Sequence, residues 1–199
     1  DEAHTIEHVA EEHFGIHINQ YSVSSLLDHL YHVRRRRGVL AWLQEDASEA
    51  REQVRRCRSD QQIFFAQVQA PAAHAGDETG GRCQAGFVDD NLSGSLKELR
   101  LSLLRLTKTL KNEEDKFELG RSIDRLSELE TDIRIFLQQT RKDCVYWVEA
   151  EHTKRRRIAL RAAPLDVSPY LREGLFEAHK SVILTSATPH DGKAESFAS

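Results

Sequence analysis

The sequence predicts an α/β domain that is interrupted by a mainly helical insertion. Leucines recur at alternating steps of four and three over residues 92–110, which is typical of a long amphipathic helix. Towards the C-terminal end the apolar period changes from helical to extended, and the β-branched run 181–185 is typical of a buried strand. Because the ends suit an α/β layout and the middle is helical, we expect a helical insertion between two pieces of one α/β domain.

Composition restricts the class of protein. The 199 residues are 39% hydrophobic and 30% charged, which suits a folded globular unit rather than a fibre or a disordered tail. No apolar run approaches the ~18–20 residues that cross a bilayer, so no membrane association is expected. The chain contains no methionine, and we therefore expect it to be part of a longer protein. Cys57, Cys83 and Cys144 form no C-x-x-C pair, which favours reduced thiols over a disulfide framework or a zinc site.

Two helices are predicted before residue 71. Apolar residues at helical spacing predict the first over residues 18–43, with Gly38 placed to break or kink it after a run of arginines. The second begins after Ser48, a suitable N-cap, and carries the apolar side chains Val54, Cys57, Phe64, Phe65 and Val68 on one side. The aperiodic, glycine-containing segment 71–91 predicts a loop.

A helical hairpin is predicted in the middle of the chain. A leucine seam, consisting of Leu92, Leu96, Leu99, Leu103, Leu106 and Leu110, is followed by a second apolar stripe over residues 123–137. A break is expected between residues 112 and 121, a segment that contains Gly120. Each stripe is too narrow to fold alone, so we expect the two helices to pack as an antiparallel pair.

Extended structure is expected after Asp143. Val145, Trp147 and Val148 begin a β-rich run, and apolar residues alternate over 158–162. A short helix is predicted from Ser168, with Pro169 at its first position, before the strand at 181–185.

Two short motifs flank the helical middle of the chain. Residues 1–4 read Asp-Glu-Ala-His, and residues 185–188 read Thr-Ser-Ala-Thr at the end of the longer string Ser-Val-Ile-Leu-Thr-Ser-Ala-Thr of residues 181–188. With a helical insertion between them, these strings resemble motifs II and III of superfamily 2 helicases. More narrowly, they resemble the XPD/DinG-type DNA helicases, in which a helical arch is inserted between the two motifs. Residues 145–149 (Val-Tyr-Trp-Val-Glu) and 163–168 (Ala-Pro-Leu-Asp-Val-Ser) resemble the return from arch to motor in the DinG branch.

The resemblance implies an α/β RecA-like (P-loop NTPase) helicase domain that carries a mainly α-helical arch domain. Residues 1–17 would be the motif II end of motor domain 1, residues 18–144 the arch-like insertion with loop 71–91, and residues 145–199 the β-rich return with motif III. It implies an ATP-dependent DNA helicase that couples Mg-ATP hydrolysis to translocation on single-stranded DNA and to duplex unwinding. We expect such a protein in the bacterial cytoplasm, associated with the nucleoid.

The resemblance also implies roles for individual residues. Asp1 would hold Mg²⁺, and Glu2, beside it in the ATP site, would be the general base that deprotonates the attacking water. His4, Ser186 and Thr188 would relay the loss of the γ-phosphate to the DNA side. The chain contains no G-x-x-x-x-G-K-[ST] loop, so this stretch alone is not expected to hydrolyse ATP. Any iron–sulfur cluster would need cysteines upstream of Asp1.

Two basic clusters are candidates for DNA contact. Lys154, Arg155, Arg156 and Arg157 lie near the base of the expected arch, where the family threads a single strand, and are the better candidates for phosphate contact. The second cluster is Arg34, Arg35, Arg36 and Arg37. If these four arginines go round a helical turn, they cannot all face one partner, so a solvated surface is an equal alternative.

Two other interpretations come from different classes of protein. His4 and His8 are four apart, as two zinc ligands on one helix would be, but residues 8–13 miss the motif H-x-x-E-H by one position. A structural module is the other alternative, with the leucine seam pairing with another protein. The buried strand predicted at 181–185 argues against it, because a coiled-coil scaffold has no use for such a strand.

Overall fold

The structure, a computed structural model, describes residues 5–74, 81–151, 157–183 and 185. In these residues a helical body packs against a small antiparallel sheet. The helices are α1 (Ile6–Phe14), α2 (Gln20–Tyr31), α3 (Val39–Trp42), α4 (Ser48–His74), α5 (Leu92–Thr107), α6 (Glu113–Gln138) and α7 (Ser168–Leu171), and the strands are β1 (Ile16–Asn19), β2 (Cys144–Glu151) and β3 (Arg157–Pro164). A π-helical turn, Arg172–Phe176, follows α7.

The predicted helical hairpin is confirmed, and the leucine seam lies inside the body. All six leucines of the seam are buried, because α5 packs against both α4 and α6. The break comes earlier than expected, since α6 already begins at Glu113 and Gly120 lies within it. Asn112 caps this helix by accepting a hydrogen bond from the Glu114 N–H at 2.8 Å. The acidic first turn of α6 adds a favourable interaction with the helix dipole.

One carboxylate is buried between the two hairpin helices. Glu130 on α6 is 7% exposed. It accepts hydrogen bonds from Arg100 Nε on α5 at 3.3 Å and from Arg134 Nη2 on its own helix at 2.7 Å. Two charged partners offset the desolvation of this carboxylate, which therefore ties α5 to α6 through a polar contact in an otherwise leucine-rich interface.

The helix predicted over residues 18–43 is wrong in its bounds. Strand β1 comes first, and Asn19 at its end caps α2 by accepting a hydrogen bond from the Ser22 N–H at 2.6 Å. Helix α2 ends at Tyr31, so the four arginines that follow lie outside it. The short helix α3 begins only after Gly38. Apolar spacing had suggested one helix because α2 and α3 bury side chains in the same core.

The second predicted helix is confirmed as α4, but it continues past Pro71 to His74. The loop predicted from residue 71 therefore starts later. Its described part, residues 81–91, runs beside the edge of β2. The Val148 N–H donates to the Gly81 carbonyl at 2.8 Å, and the Cys83 N–H donates to the Tyr146 carbonyl at 3.2 Å. Gly81 has a φ of 74°, and a Cβ there would overlap the Val148 carbonyl, so this close approach requires glycine.

The sheet has the order β1-β3-β2, and both pairs of strands are antiparallel. The extended runs predicted after Asp143 and over 158–162 are confirmed as β2 and β3, and the short helix predicted from Ser168 is confirmed as α7. Side chains of all three strands, among them Ile18, Leu160 and Tyr146, belong to the same hydrophobic core as the helices. The strands and the helical body therefore stabilise each other.

The buried strand predicted at 181–185 is wrong for the residues that the structure describes there. Residues 181–183 and 185 belong to no strand, and the side chain of Ile183 is 87% exposed. A buried strand needs hydrogen-bonding neighbours on both sides. Within the described ranges the strands all belong to the antiparallel β1-β3-β2 sheet, and the free edge of β2 is already lined by residues 81–83.

Candidate nucleic-acid interface

The residues assigned to ATP chemistry fall at the two ends of the chain. Asp1, Glu2, His4, Ser186 and Thr188 all lie outside the described residues. The structure describes the segments next to them. Helix α1 begins at Ile6, directly after the first motif, and residues 181–183 lead up to the second.

The segments that adjoin the two motifs contact each other. The ring of Phe14, at the end of α1, stacks on the ring of Tyr170 in α7 with a centroid distance of 5.1 Å. Arg141 Nη1 donates a hydrogen bond to the Phe14 carbonyl at 3.0 Å. The Tyr170 hydroxyl donates to Asp143 Oδ2 at 2.8 Å, and this hydrogen bond raises the pKa of Tyr170. The segment that enters the helical body, α1, is thus held by direct contacts to the segments that leave it.

Strands β1 and β3 bring the entry and the exit of the helical body still closer. Ile16 pairs with Ala162, and Asn19 pairs with Ala159. The helical body lies between these positions along the chain. Its two ends are therefore held side by side in one sheet, about 5 Å apart across the strand pair.

The predicted DNA-binding cluster 154–157 follows β2 in the sequence, and its last residue is the first of β3. Lys154, Arg155 and Arg156 are outside the described residues, and of Arg157 only the backbone is described. That backbone begins β3 and pairs with Glu151. The register continues beyond Asn19↔Ala159, the last pair of β1, so this end of the hairpin extends past β1. Arg161, four residues further along β3, has its Nε 2.5 Å from Glu149 Oε2. The charge of this arginine is therefore already paired with a carboxylate.

The arginine turn, defined as Arg34, Arg35, Arg36 and Arg37, is a tight turn and not part of a helix. The His32 N–H donates to the Arg37 carbonyl at 2.8 Å and closes the turn. Arg36 adopts a left-handed conformation with a φ of 48°. The next residue, Gly38, has a φ of 122°, and a Cβ there would lie 2.7 Å from the Leu30 carbonyl oxygen. The expectation that the four arginines go round a helix is therefore wrong, and all four are exposed.

A cleft of about 510 Å³ opens beside the arginine turn, between α2 and α4. Arg34, Arg55 and Arg58 line it together with Asp28. Arg58 Nη2 lies 2.5 Å from Asp28 Oδ1, so these two charges offset each other.

The arginine turn has no such partners among the described residues. On α4, Glu52 pairs with two arginines, with Oε2 2.9 Å from Arg55 Nη1 and Oε1 3.7 Å from Arg56 Nε. In the part of the chain that the structure describes, the four side chains of the arginine turn make no ion pair. This end of the body therefore carries an excess of positive charge.

Two aromatic rings accompany the basic surface. Tyr31 is buried, with the guanidinium groups of Arg51 and Arg55 at 6.0 and 5.8 Å from its ring centroid. Trp42, at the end of α3, is instead 79% exposed. Arg51 Nε donates to the Leu40 carbonyl at 3.1 Å and ties α3 to α4. Trp42 was not identified as a surface residue from the sequence. The signal was its position outside the apolar stripe that contains Leu40 and Leu43.

The described residues provide no assembled metal site. Among them, no three His, Cys, Asp or Glu side chains lie close enough to hold a metal ion. His4 lies outside the described residues and the side chain of His8 is not described, so the zinc interpretation remains untested. Burial raises the pKa of Cys57 to about 12 and that of Cys83 to about 11, so both thiols are protonated at neutral pH.

None of the helices in the described ranges is long and apolar enough to span a membrane. Comparison with protein-family models, with curated proteins and with solved structures found no match to this chain.

Proposed function

We propose that this chain is part of an ATP-dependent DNA helicase of the XPD/DinG type, with the helical body as an arch inserted into a RecA-like motor domain. The supporting observation is the antiparallel pairing of β1 with β3. An inserted domain must leave and re-enter its host at neighbouring points. The pairing of Ile16 with Ala162 provides that neighbourhood, between motif-like segments at residues 1–4 and 185–188.

The chemistry of the proposal belongs to the two motifs. Asp1 would hold the Mg²⁺ of the bound ATP, and Glu2 would accept the proton of the attacking water. His4, Ser186 and Thr188 would couple the state of the nucleotide to the DNA. The cluster Lys154, Arg155, Arg156 and Arg157 would contact the phosphates of a single strand.

The exposed Ile183 is compatible with this proposal. Residues 181–185 carry the β-branched sequence of a buried strand, yet residues 181–183 and 185 pair with no strand of the described ranges. In a RecA-like motor their neighbours would be strands of the motor sheet. Insertion into that sheet would then bury the apolar side chain that is now 87% exposed.

The structural-module alternative depends on a leucine seam that is free to bind another protein. It requires the leucine seam to pair with another protein, but all six seam leucines are buried against α4 and α6. The strand at 181–185 no longer argues against a scaffold, because it does not form among the described residues. Burial of the seam and the adjoining ends of the insertion together favour the helicase.

The coupling residues offer a test in the full-length protein. Replacing Ser186 and Thr188 by Ala should reduce duplex unwinding more than DNA-stimulated ATP hydrolysis, because their hydroxyls would transmit the nucleotide state without performing the chemistry. Ser181→Ala is the matched control, since Ser181 is an exposed hydroxyl residue of the same run outside the motif. Equal losses in both assays would place the two hydroxyls in the ATP pocket, and no loss in either would remove the motif III assignment.

A further inference from the structure

We propose that the arginine turn and Trp42 together form a binding site for a single-stranded polynucleotide on the helical body, separate from the 154–157 cluster. This inference depends on the proposed function only for the choice of DNA as the probe. It predicts binding that needs neither ATP nor the two motifs.

The charge of the arginine turn points to a polyanion. Four adjacent guanidinium groups repel one another, and the described residues offer them no acidic partner. A phosphodiester backbone supplies regularly spaced negative charges, and guanidinium groups match phosphate oxygens through paired hydrogen bonds. The turn is therefore complementary to a phosphate backbone.

The backbone of the turn presents these charges outward. The bond from the His32 N–H to the Arg37 carbonyl closes the turn, and the left-handed Arg36 reverses the chain. In the helix expected from the sequence, at least one of the four side chains would have pointed away from any flat partner. The tight turn takes the place of that helix, and all four side chains are exposed.

A cleft lined by charged residues of both signs lies beside the turn. Arg34 lines this cleft together with Arg55 and Arg58 of α4. The carboxylates that pair with Arg55 and Arg58 belong to Glu52 and Asp28. Their side chains are partly exposed, at 49% and 41% respectively. Arg34 is therefore the arginine of this cleft that has no carboxylate partner among the described residues, and it is the one that links the cleft to the turn.

Trp42 points to a single strand rather than a duplex. Trp42 is 79% exposed, and unpaired bases stack on exposed aromatic rings whatever their sequence. Trp42 follows Arg37 by five residues, so the two are at most roughly 18 Å apart along the chain, within the length of a short bound strand. Bases in a duplex are already stacked and cannot reach the ring. Phosphate contacts from the turn and base stacking on Trp42 therefore fit one occupant.

The first experiment measures the affinity of the full chain for a labelled oligo-dT over a range of salt concentrations. Replacing all four arginines of the turn by Ala should weaken binding at least about tenfold at low salt. It should also lower the slope of log affinity against log salt by about 2 units, at roughly 0.7 for each phosphate that the variant no longer neutralises. The matched control replaces Lys97, Lys108, Lys111 and Arg121 by Ala, which removes four exposed cations that are scattered over α5, α6 and their connection.

The second experiment tests the stacking contact. Trp42→Ala should weaken oligo-dT binding roughly fivefold or more without changing the salt slope, whereas Trp42→Phe should retain most of the affinity. Addition of oligo-dT should quench the tryptophan fluorescence of the wild-type chain, and Trp42→Ala should abolish that quenching. Circular dichroism of each variant checks that the helical content is unchanged.

Several outcomes would overturn the inference. If the control variant weakened oligo-dT binding as much as the arginine-turn variant, the loss of affinity would be explained by net charge alone. Duplex DNA or polyglutamate binding as tightly as oligo-dT, with no effect of Trp42→Ala, would identify a general polyanion or acidic-protein surface instead. All these measurements omit ATP and leave both motifs intact, so a failure here is separate from a failure of the proposed ATP chemistry.

Discussion

Phe14 and Tyr170 stack with their ring planes 26° apart, although 156 positions of the chain separate them. Gly174, in the π-helical turn after α7, lies against the same contact, because a Cβ there would be 3.7 Å from Phe14 Cζ. This ring pair joins the segment that follows the first motif to the segment that precedes the second. In the proposed helicase it would lie at the base of the arch.

The ring pair should couple the two ends of the helical body energetically. Phe14→Ala and Tyr170→Ala, singly and combined, should give an interaction free energy of about 0.5–1 kcal/mol in a double-mutant cycle measured by urea unfolding. Tyr170→Phe is the control, because it removes only the hydrogen bond to Asp143 and keeps the ring. Strictly additive losses would mean that the stacking contributes nothing to holding the ends together.

Gly38 should be sensitive to substitution by any residue with a Cβ. Its φ is 122°, and a Cβ at this position would lie 2.7 and 2.8 Å from the Leu30 and His29 carbonyl oxygens. Gly38→Ala should therefore lower the free energy of unfolding by about 2–3 kcal/mol. Gly120→Ala is the matched control. It lies within α6 with no neighbour inside 4 Å of a Cβ, and should stabilise by about 0.5–1 kcal/mol. Thermal unfolding of both variants decides the matter, and equal effects would contradict the conformation of the turn.

The 154–157 cluster should contact DNA phosphates in the full-length protein. Neighbouring side chains in an extended segment point to opposite faces, so two or three of the four should reach the strand at once. Replacing Lys154, Arg155, Arg156 and Arg157 by Ala should flatten the salt slope of single-stranded DNA binding by about 1.5–2 units, whatever the base sequence. An unchanged slope with intact circular dichroism would make this cluster a solvated surface.

Local patterns in the sequence predicted the parts of the fold that depend on local contacts. The seam of leucines predicted α5 and its packing on α6, because its spacing alone determines which face is apolar. The alternation around Leu160 likewise predicted β3. Asn112, the N-cap of α6, was a start signal that outweighed Gly120 as a break.

Elements that depend on distant partners could not be read in the same way. Strand β1 has only four residues, and it exists because it pairs with β3 near the other end of the chain. The arginine run has good helix propensity, yet it forms a turn that is closed by the hydrogen bond from the His32 N–H to the Arg37 carbonyl and followed by Gly38 at a φ of 122°. Residues 181–183 have strand propensity, yet no described strand pairs with them, so propensity did not decide their structure.

The contacts of charged side chains could not be predicted from the sequence either. The buried Glu130 required a partner on another helix, and nothing in the spacing of Arg100 indicated that contact. For the candidate site, the sequence identified the charged residues of the arginine turn but not their arrangement. The exposure of Trp42, five residues after Arg37, became apparent only from the structure of α3.

The most direct test of the helicase proposal is ATP turnover by the full-length protein in the presence of single-stranded DNA. Glu2→Gln should lower kcat at least about a hundredfold while nucleotide binding is retained, because the amide fills the same space but cannot accept the proton of water. Glu7→Gln, which removes a nearby carboxylate of α1 outside the motif, should leave turnover unchanged. Near-normal hydrolysis by the Glu2→Gln protein would contradict the proposed role of the motif at residues 1–4.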